Sequence, residues 1–319
     1  MAILVGIDEA GYGPLLGPLV VSAAAMRLPD EDLKSDMWQM LKGAVSINKK
    51  NLNGRILIAD SKKAYSKKAG IDHLQRTVLT VLKYLGQDAD NVLSLLNKLC
   101  PNCLERIVKY PWYENIAEQK LGQNNDAISL CACVLSKELK RASVDFLSIK
   151  SICLDVGYYN KMVNLVQNKA TVLFTSICTL IQQYFDEFGS ENLQIIVDRQ
   201  GGRADYRGPL LSMFNGAELK VLRQDENLSS YHLSLGDKQM KIHFAVKADS
   251  KYLPVCLASM ASKYIRELLI EQMNKYFIAH CAELVPTAGY WTDGTRFIED
   301  LAKFCPNIKY DSELLIRCR

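Results

Sequence analysis

Acidic residues stand at or just after the ends of three apolar runs in this sequence, and each run indicates a buried β-strand. These residues are Asp8, Glu9, Asp198 and Asp249. Hard divalent cations prefer oxygen ligands and several negative charges, with room left for substrate phosphates. An acidic residue at a strand end is also commonly a solvated cap. The pattern alone therefore leaves two interpretations open, a metal site or three ordinary strand ends.

Asp8 and Glu9 are neighbours, and neighbouring side chains on a regular strand point to opposite faces of the sheet. Both carboxylates can reach one site only if the chain bends close to them. Gly11, Gly13 and Pro14 follow directly, and glycine adopts backbone conformations that other residues avoid. We therefore expect a turn immediately after this acidic pair.

Strand-like and helix-like stretches alternate along the chain, which predicts an α/β fold with a mixed sheet. The predicted strands lie at 2–8, 19–26, 56–59, 149–155, 193–197, 218–222 and 241–246. The predicted helices lie at 67–85, 164–188, 254–277 and 296–304. We expect one domain over 1–319, with a helical insertion at about 86–146 and a helical C-terminal part at about 254–319.

Residues 5–23 (VGIDEAGYGPLLGPLVVSA) resemble the N-terminal signature of ribonuclease HII, the bacterial type 2 ribonuclease H. In that family a strand ends in Asp-Glu-Ala-Gly-Arg-Gly-Pro. Other stretches resemble further elements of the family in the same order: 60–63 (DSKK), 195–198 (IIVD), 247–250 (KADS) with 258–267 (ASMASKYIRE), and 289–292 (GYWT). Together they cover both ends and the centre of the chain, and they make it similar to a divergent member of this family.

This resemblance implies a ribonuclease H-like fold, with a five-stranded mixed sheet, helices on both faces and a helical C-terminal extension. It implies one catalytic domain in which the catalytic and metal-binding residues are Asp8, Glu9, Asp198 and Asp249. The implied reaction is hydrolysis of the RNA strand of an RNA/DNA hybrid, leaving 3′-hydroxyl and 5′-phosphate ends. Two Mg²⁺ or Mn²⁺ ions about 4 Å apart would activate the attacking water and stabilise the leaving oxygen.

The resemblance also implies a set of residues that bind the substrate. They are Gly11, Tyr12, Gly13, Ser61, Lys62, Lys63 and Tyr290. Lys62 or Lys63 would neutralise a backbone phosphate. Tyr290 would pack against the sugar at the cut site; the alternative is that it is a core tyrosine.

The sequence departs from the family pattern at three places. Tyr12 stands where the family has an Arg that helps to read the ribose 2′-hydroxyl at an RNA-to-DNA junction, so a cation and its donors are lost. Residues 199–203 (RQGGR) replace the family's Gly after the third strand, and Glu267 replaces its usual Asp. We therefore expect cleavage of hybrids to survive better than cleavage at a single ribonucleotide.

Two other functions stay open because of these departures. One is a nucleic-acid-binding protein with a ribonuclease H fold and little cleavage, and the other is a related metal nuclease with an altered choice of duplex. Retention of all four carboxylates favours an enzyme over the binding protein.

The predicted insertion contains cysteines that could supply four thiolates to one Zn²⁺. They are Cys100, Cys103, Cys131 and Cys133. The second pair lies in an apolar, helix-compatible stretch, where cysteines commonly act as small core residues. Buried thiols are therefore favoured over zinc.

Two further features also have two interpretations each. Tyr110, Trp112 and Tyr113 either form local core, which is favoured, or stack on bases. Eight basic residues against one acid between Lys42 and Lys68 form either a solvated face or an edge that binds a polyanion.

Composition bounds the remaining classes of protein. The chain has 319 residues, 49% hydrophobic and 23% charged, with a net charge of +4, which is typical of a globular protein. The weakly polar stretch 14–26 is interrupted by Gly17 and Pro18 and is too short to span a bilayer. No basic leader with a cleavage site is present at the start. We expect a cytoplasmic monomer whose partner is nucleic acid, with no membrane association.

Overall fold

The computed structural model describes residues 1–65, 70–122 and 125–318. Its strands in these ranges are β1 (Ala2–Ala10), β2 (Leu19–Leu28), β3 (Val45–Ser46), β4 (Ile56–Leu57), β5 (Asp145–Leu154), β6 (Asn192–Asp198), β7 (Glu218–Gln224), β8 (Leu228–Leu235) and β9 (Lys238–Ala245). Its α-helices are α1 (Met37–Met40), α2 (Ser61–Ala64), α3 (Asp72–Tyr84), α4 (Val92–Leu99), α5 (Leu104–Ile107), α6 (Asn125–Ala142), α7 (Val156–Val166), α8 (Lys169–Phe188), α9 (Arg207–Met213), α10 (Leu253–His280), α11 (Trp291–Phe304) and α12 (Ser312–Leu315). Short 3₁₀ turns lie at Asp30–Lys34, Pro101–Cys103, Pro111–Tyr113 and Ala248–Ser250.

A seven-stranded mixed sheet forms the centre of the molecule, in the order β5-β2-β1-β6-β9-β8-β7. Strand β1 is antiparallel to β2 and parallel to β6, which is in turn parallel to β9. The α/β class and the mixed sheet are therefore as predicted. Because β1, β6 and β9 run in one direction, their carboxyl ends meet at one edge of the sheet.

The expected count of five strands is wrong, because β8 and β7 extend the sheet beyond β9 through antiparallel pairing. The sequence did not predict strand β8, because its polar residues interrupt the alternation of apolar and polar positions that indicates a strand. These polar residues are Ser229, Ser230, His232 and Ser234. The strand is held by hydrogen-bonded neighbours on both sides rather than by its own hydrophobicity. The predicted strand at 56–59 is β4, which pairs with β3 in a separate two-stranded sheet.

Helices cover both faces of the large sheet. On β1, Ile3, Val5 and Ile7 are buried with residues of α7 and α8, whereas Leu4 is buried on the opposite face with residues of α10 and α3. A Cβ on Gly6 would collide with the backbone of Val255. A glycine is therefore required for α10 to lie this close to β1.

Two predicted helices differ from the observed ones for local reasons. The predicted helix 164–188 is two helices, because Gln167 adopts a left-handed conformation that ends α7, and the Asn168 side chain then caps α8. The predicted helix 67–85 corresponds to α3, which begins at Asp72. Lys67 and Lys68 lie outside the described residues.

The predicted insertion contains helices α4, α5 and α6, and β5 begins at Asp145 just before its expected end. Tyr110, Trp112 and Tyr113 are buried and pack on one another, so the favoured prediction of local core is confirmed. None of the described helices is long and apolar enough to cross a membrane.

The C-terminal part of the chain returns to the beginning of the sequence. Leu16 and Ile316 form an isolated antiparallel bridge, and the Arg317 backbone amide donates to the Leu15 carbonyl oxygen at 2.9 Å. A disulfide joins Cys281, which follows α10, to Cys305, which follows α11. Residues from the two ends of the chain thus lie together beside the loop that follows β1.

Candidate active site

The sequence-predicted carboxylates are brought to one edge of the sheet by three parallel strands. Asp8 and Glu9 lie near the end of β1, and Asp198 is the last residue of β6. Asp249 lies in the 3₁₀ turn Ala248–Ser250, which follows β9 after Lys247 adopts a left-handed conformation. Since β1 stays paired with β2 through Ala10, the expected turn follows the acidic pair and does not separate its members.

Backbone hydrogen bonds orient two of these carboxylates. The Ala248 amide donates to Asp198 Oδ1 at 2.7 Å, which ties the end of β6 to the turn that carries Asp249. The Glu9 amide donates to Asp8 Oδ1, also at 2.7 Å. Helix α10 lies below this edge, where the Ser262 hydroxyl donates to the Asp8 carbonyl oxygen at 3.1 Å.

The carboxylates raise one another's pKa. Burial raises the pKa of Asp8 well above its ordinary value, and the charges of Glu9 and Asp198 raise it further, against a hydrogen bond from Ser259. Burial, followed by the charge of Asp198, raises the pKa of Glu9 to about 7. The pKa of Asp198 is raised by burial and then by Asp249. Negative charges gathered in a partly desolvated place favour a proton or a bound cation.

A fifth carboxylate, Asp60, belongs to the same acidic region, and sequence analysis missed it as a site residue. The pKa of Asp249 is raised by burial and then by the charge of Asp60. Asp60 also caps helix α2 by accepting from the Lys62 amide at 2.8 Å. The available signal was its place at the head of the DSKK stretch, where an Asp before a short helix indicates a cap.

The donor set fits hard cations, but the spacing does not describe a single tight site. Among the described residues, the ligand atoms that lie within 4.8 Å of one another in a group of three belong to Cys281, Glu283 and Cys305. Two of these are joined in the disulfide, so that group does not hold an ion. No three of the four predicted carboxylates, all of which the structure describes, have ligand atoms within 4.8 Å of one another.

Ser61 and Lys62 lie beside the carboxylates. The hydroxyl oxygens of Ser259, on α10, and Ser61 are hydrogen-bonded at 3.0 Å, so helix α2 is attached to the helix that supports Asp8. The positive charge of Lys62 lowers the pKa of both Glu9 and Asp249. Its exposed ammonium therefore lies near the acidic edge.

Lys63 and Tyr290 are on the surface, and within the described part of the chain no ion pair joins Lys63 to the carboxylates. Tyr290 precedes α11 and is 48% exposed, which excludes the core-tyrosine alternative. The Arg266 guanidinium lies 5.4 Å and the Lys263 ammonium 5.7 Å from the centre of its ring. These buried cations hold the ring at the surface of the molecule.

The Gly11-Tyr12-Gly13 loop is shaped by one strict requirement for glycine. Gly11 has a φ of +91°, and a Cβ there would lie 2.5 Å from the Pro18 carbonyl oxygen. The surroundings of Gly13 are open. Tyr12 lines a polar pocket of about 390 Å³ together with Tyr159, Lys169, Trp291 and Arg317, and the Lys169 ammonium lies 5.3 Å from the centre of its ring.

Arg317 occupies the space beside this loop, and nothing in the local sequence indicated it. Its guanidinium donates to the Gly11 carbonyl oxygen, and at 3.5 Å to that of Tyr12. Arg199 donates to the Arg203 carbonyl oxygen at 2.6 Å and extends toward the turn between β7 and β8. The guanidinium that donates hydrogen bonds to the glycine loop thus comes from the far end of the chain.

Glu267, which stands in the place of the family's usual Asp, forms ion pairs inside the protein. The Lys263 ammonium lies 2.5 Å and the Arg266 guanidinium 3.3 Å from Glu267 Oε1. Arg266 also donates to the carbonyl oxygens of Leu16 and Ala288, at 3.2 Å and 3.0 Å. Glu267 therefore stabilises the cations that hold the loops around the candidate site.

The four cysteines considered for zinc are not assembled. Cys131 and Cys133 lie on α6, where Cys133 is exposed, so the expectation of a buried thiol is wrong for Cys133. Cys100 and Cys103 are buried beside Cys153 of β5 instead. The contact between Cys103 and Cys153 joins residues about fifty positions apart, so no local pattern in the sequence predicted it.

No family model and no curated protein matches this chain. Among solved structures it is similar to ribonuclease HII of Archaeoglobus fulgidus, solved in complex with PCNA, with 16% identity over 99% of this chain and 94% of that chain and a TM-score of 0.47. It is similar to ribonuclease H2 of Pyrococcus horikoshii, with 15% identity, coverage of 98% and 92% and a TM-score of 0.40. Ribonuclease H3 of Aquifex aeolicus has 14% identity, coverage of 98% and 71% and a TM-score of 0.42. Identities this low do not assign an activity.

Proposed function

We propose that this protein is a metal-dependent endonuclease that hydrolyses the RNA strand of RNA/DNA hybrids. One observation carries the proposal. Asp8, Glu9, Asp198 and Asp249 extend from three adjacent strand ends into one place, where burial, followed by the charges of neighbouring carboxylates, raises the pKa of each. A fold accepts such repulsion where cations relieve it.

The carboxylates would hold two Mg²⁺ or Mn²⁺ ions, which supply an activated water and charge stabilisation at the leaving oxygen. Asp8 and Asp198 have backbone donors that orient one oxygen each, so their other oxygens are positioned in advance. Lys62 would bind a backbone phosphate at the same edge. Tyr290, held at the surface by Lys263 and Arg266, would pack against a sugar.

The glycine loop would read the ribose. Arg317 binds the carbonyl oxygens of Gly11 and Tyr12, so the path of the backbone is fixed where a 2′-hydroxyl would approach. Tyr12 brings a ring in place of a guanidinium, and this substitution is the observation that favours the second candidate function. In that candidate, the same carboxylates act on a different duplex, or the protein binds hybrids with little cleavage.

The test compares labelled RNA/DNA hybrid, a DNA duplex with one ribonucleotide, RNA duplex and DNA duplex, each with Mg²⁺ or Mn²⁺. We expect the hybrid to be cut fastest, with 5′-phosphate products. For variants of the predicted carboxylates, such as Asp8→Asn, the matched control is Asp237→Asn. Asp237 is exposed in the turn between β8 and β9, and its replacement removes the same charge. Hybrid binding without cleavage would support the binding protein, and preferred cleavage of another duplex would support the altered nuclease.

A further inference from the structure

Three cysteines form a cluster at the edge of the large sheet, which we call the thiol cluster: Cys100, Cys103 and Cys153. Cys103 Sγ lies 3.7 Å from Cys100 Sγ, and it also shares a hydrogen bond with the Cys153 thiol. Each of the three side chains is no more than 2% exposed. Sulfurs this close need only small rotations of their side chains to form a bond.

The local backbone places the first two sulfurs together. Cys100 follows α4, and the 3₁₀ turn Pro101–Cys103 begins directly after it. The Cys103 backbone amide donates to the Cys100 carbonyl oxygen at 3.1 Å, which closes the turn and brings the two residues together. The sequence Cys-Pro-Asn-Cys therefore sets two thiols side by side, independently of any third residue.

Arg106 holds the turn against strand β5. Its guanidinium donates to the Asn102 carbonyl oxygen at 2.8 Å, to the Cys153 carbonyl oxygen at 3.1 Å and to Asp155 Oδ2 at 2.5 Å. Hydrogen bonds from the neighbouring thiols of Cys100 and then Cys153, together with the charge of Arg106, lower the pKa of Cys103 to about 4 against the effect of burial. Cys103 is therefore the cysteine of the cluster that loses its proton most readily.

A pocket of about 440 Å³ lies beside the thiol cluster. Its lining residues include all three cysteines, Arg106, Lys98 and Lys150. This volume accommodates a small organic molecule, whereas the low exposure of the sulfurs excludes the approach of a folded protein.

We propose that Cys100 and Cys103 are a redox-active dithiol that exchanges with small disulfides entering this pocket. The Cys103 thiolate attacks one sulfur of a disulfide RSSR, which forms a mixed disulfide and releases one thiolate RS⁻. The Cys100 thiol then loses its proton and attacks Cys103 Sγ, which forms the Cys100–Cys103 disulfide and releases the second RS⁻. The two protein sulfurs are oxidised and RSSR is reduced; one RS⁻ takes the proton lost by Cys100 and the other takes a proton from solvent, which received that of Cys103 when its thiolate formed, so two RSH result.

Bis(2-hydroxyethyl) disulfide is a suitable probe because it is small and uncharged. The reduced full-length protein is incubated with this disulfide and 2-mercaptoethanol at several ratios, quenched by alkylation and digested with trypsin. Lys98 and Arg106 bound a peptide, LCPNCLER, that contains only Cys100 and Cys103. We expect this peptide to lose two hydrogens and to escape alkylation, and excess 2-mercaptoethanol to reverse the change.

Variants identify the order of attack. In Cys100→Ser, the mixed disulfide with the reagent should accumulate on Cys103, and in Cys103→Ser the same peptide should show no disulfide. Cys133→Ser is the control, because Cys133 is exposed on α6 and its loss should leave the peptide's oxidation unchanged. A wild-type peptide that remains fully alkylated at every ratio would overturn the proposal, as would a disulfide that contains Cys153. The wild-type measurement decides even if a variant does not fold.

Discussion

A partly buried group of carboxylates and a buried group of cations lie next to each other in this protein, and their charges are treated in opposite ways. The carboxylate group, made of Asp8, Glu9, Asp198 and Asp249, holds like charges that raise one another's pKa. The cation group, made of Lys263, Arg266 and Arg317, is paired with Glu267 or with backbone carbonyl oxygens of the surrounding loops. Buried charges are costly unless they are paired.

This difference indicates what each group is for. The cation group has its terminal nitrogens paired within the chain, although the Nε atoms of Arg266 and Arg317 have no partner, so its role is to hold loops in place around the acidic edge. The carboxylate group is left unsatisfied by the chain, so the binding of something positive would lower its energy. Replacing members of each group should therefore change different properties of the protein.

The largest effect is expected from Asp8→Asn or Asp198→Asn. Hydrolysis of an RNA/DNA hybrid should fall by more than about 100-fold. Changing a residue that only hydrogen-bonds to a metal ligand can already lower activity by about 100-fold, and these variants change a ligand itself. Binding of the hybrid should be nearly unchanged, because little phosphate-binding surface is removed. Turnover and binding are measured with the same labelled hybrid, and near-normal turnover by both variants would contradict the site assignment.

Arg266→Ala should have the largest effect on stability. It leaves Glu267 with one cation fewer and removes donors from the Leu16 and Ala288 carbonyl oxygens. We expect a loss of about 3–5 kcal/mol in the free energy of unfolding, measured by denaturant unfolding. Arg223→Ala on the exposed strand β7 is the control and should cost less than about 1 kcal/mol. An equal loss in both proteins would mean that the buried pairing adds nothing.

The pH dependence of stability tests the raised pKa of Glu9, which is caused first by burial and then by the charge of Asp198. The Glu9 carboxyl has an ordinary pKa of 4.5 and a pKa of about 7 in the fold. Between these values the folded state binds more protons than the unfolded state. The contribution of Glu9 to the free energy of unfolding is therefore fully present below about pH 4.5 and is lost as the pH rises through 7. For this group alone the loss is on the order of 3 kcal/mol.

The measurement is denaturant unfolding at pH 5 and pH 8 with a metal chelator, on wild type and on Glu9→Gln. The variant should lose less stability between the two pH values than the wild type. His243, whose pKa burial lowers to about 4, acts in the opposite direction, but equally in both proteins. Parallel pH profiles would show that the pKa of Glu9 is not raised in the fold.

Charge reversal of Lys62 and Lys63 tests whether the acidic edge depends on nearby cations for its substrate. Binding should weaken for every duplex alike, and the slope of log K against log salt should become shallower by about 0.9 for each phosphate that the variant no longer neutralises. Reversal of Lys220 and Lys309, which are exposed elsewhere, is the matched control. If reversal of Lys62 and Lys63 leaves the salt slope unchanged, the basic run between Lys42 and Lys68 is a solvated face and does not bind a polyanion.

Tyr12→Arg should have the smallest effect, because Arg317 already binds the loop carbonyl oxygens. The wild type should cut runs of ribonucleotides better than a single ribonucleotide in DNA. The variant should shift that ratio toward the single ribonucleotide by less than about tenfold, or about 1.4 kcal/mol, which is within the range for one added hydrogen bond. Rates on both substrates with the same metal provide the comparison. A wild type that already prefers the single ribonucleotide would refute the role given to Tyr12.

The sequence by itself determined the α/β class and the strand ends that carry the four carboxylates. Strands β1, β6 and β9 were predictable because buried strands are continuous apolar runs, and the acidic residues that follow them are visible in the order of residues along the chain. The glycine turn after Glu9 was predictable for the same kind of reason, since Gly11 requires a positive φ that few residues adopt.

Only the tertiary structure decided which distant residues share a site. Strand β8 is held by its neighbours, Asp60 approaches Asp249 across the fold, Cys153 joins a turn some fifty residues away, and Arg317 reaches back to Gly11. Periodicity reports only which face of an element is buried, because it arises from neighbours along the chain. Contacts between residues far apart in sequence depend on how the elements pack, and that information lies in no single stretch of the sequence.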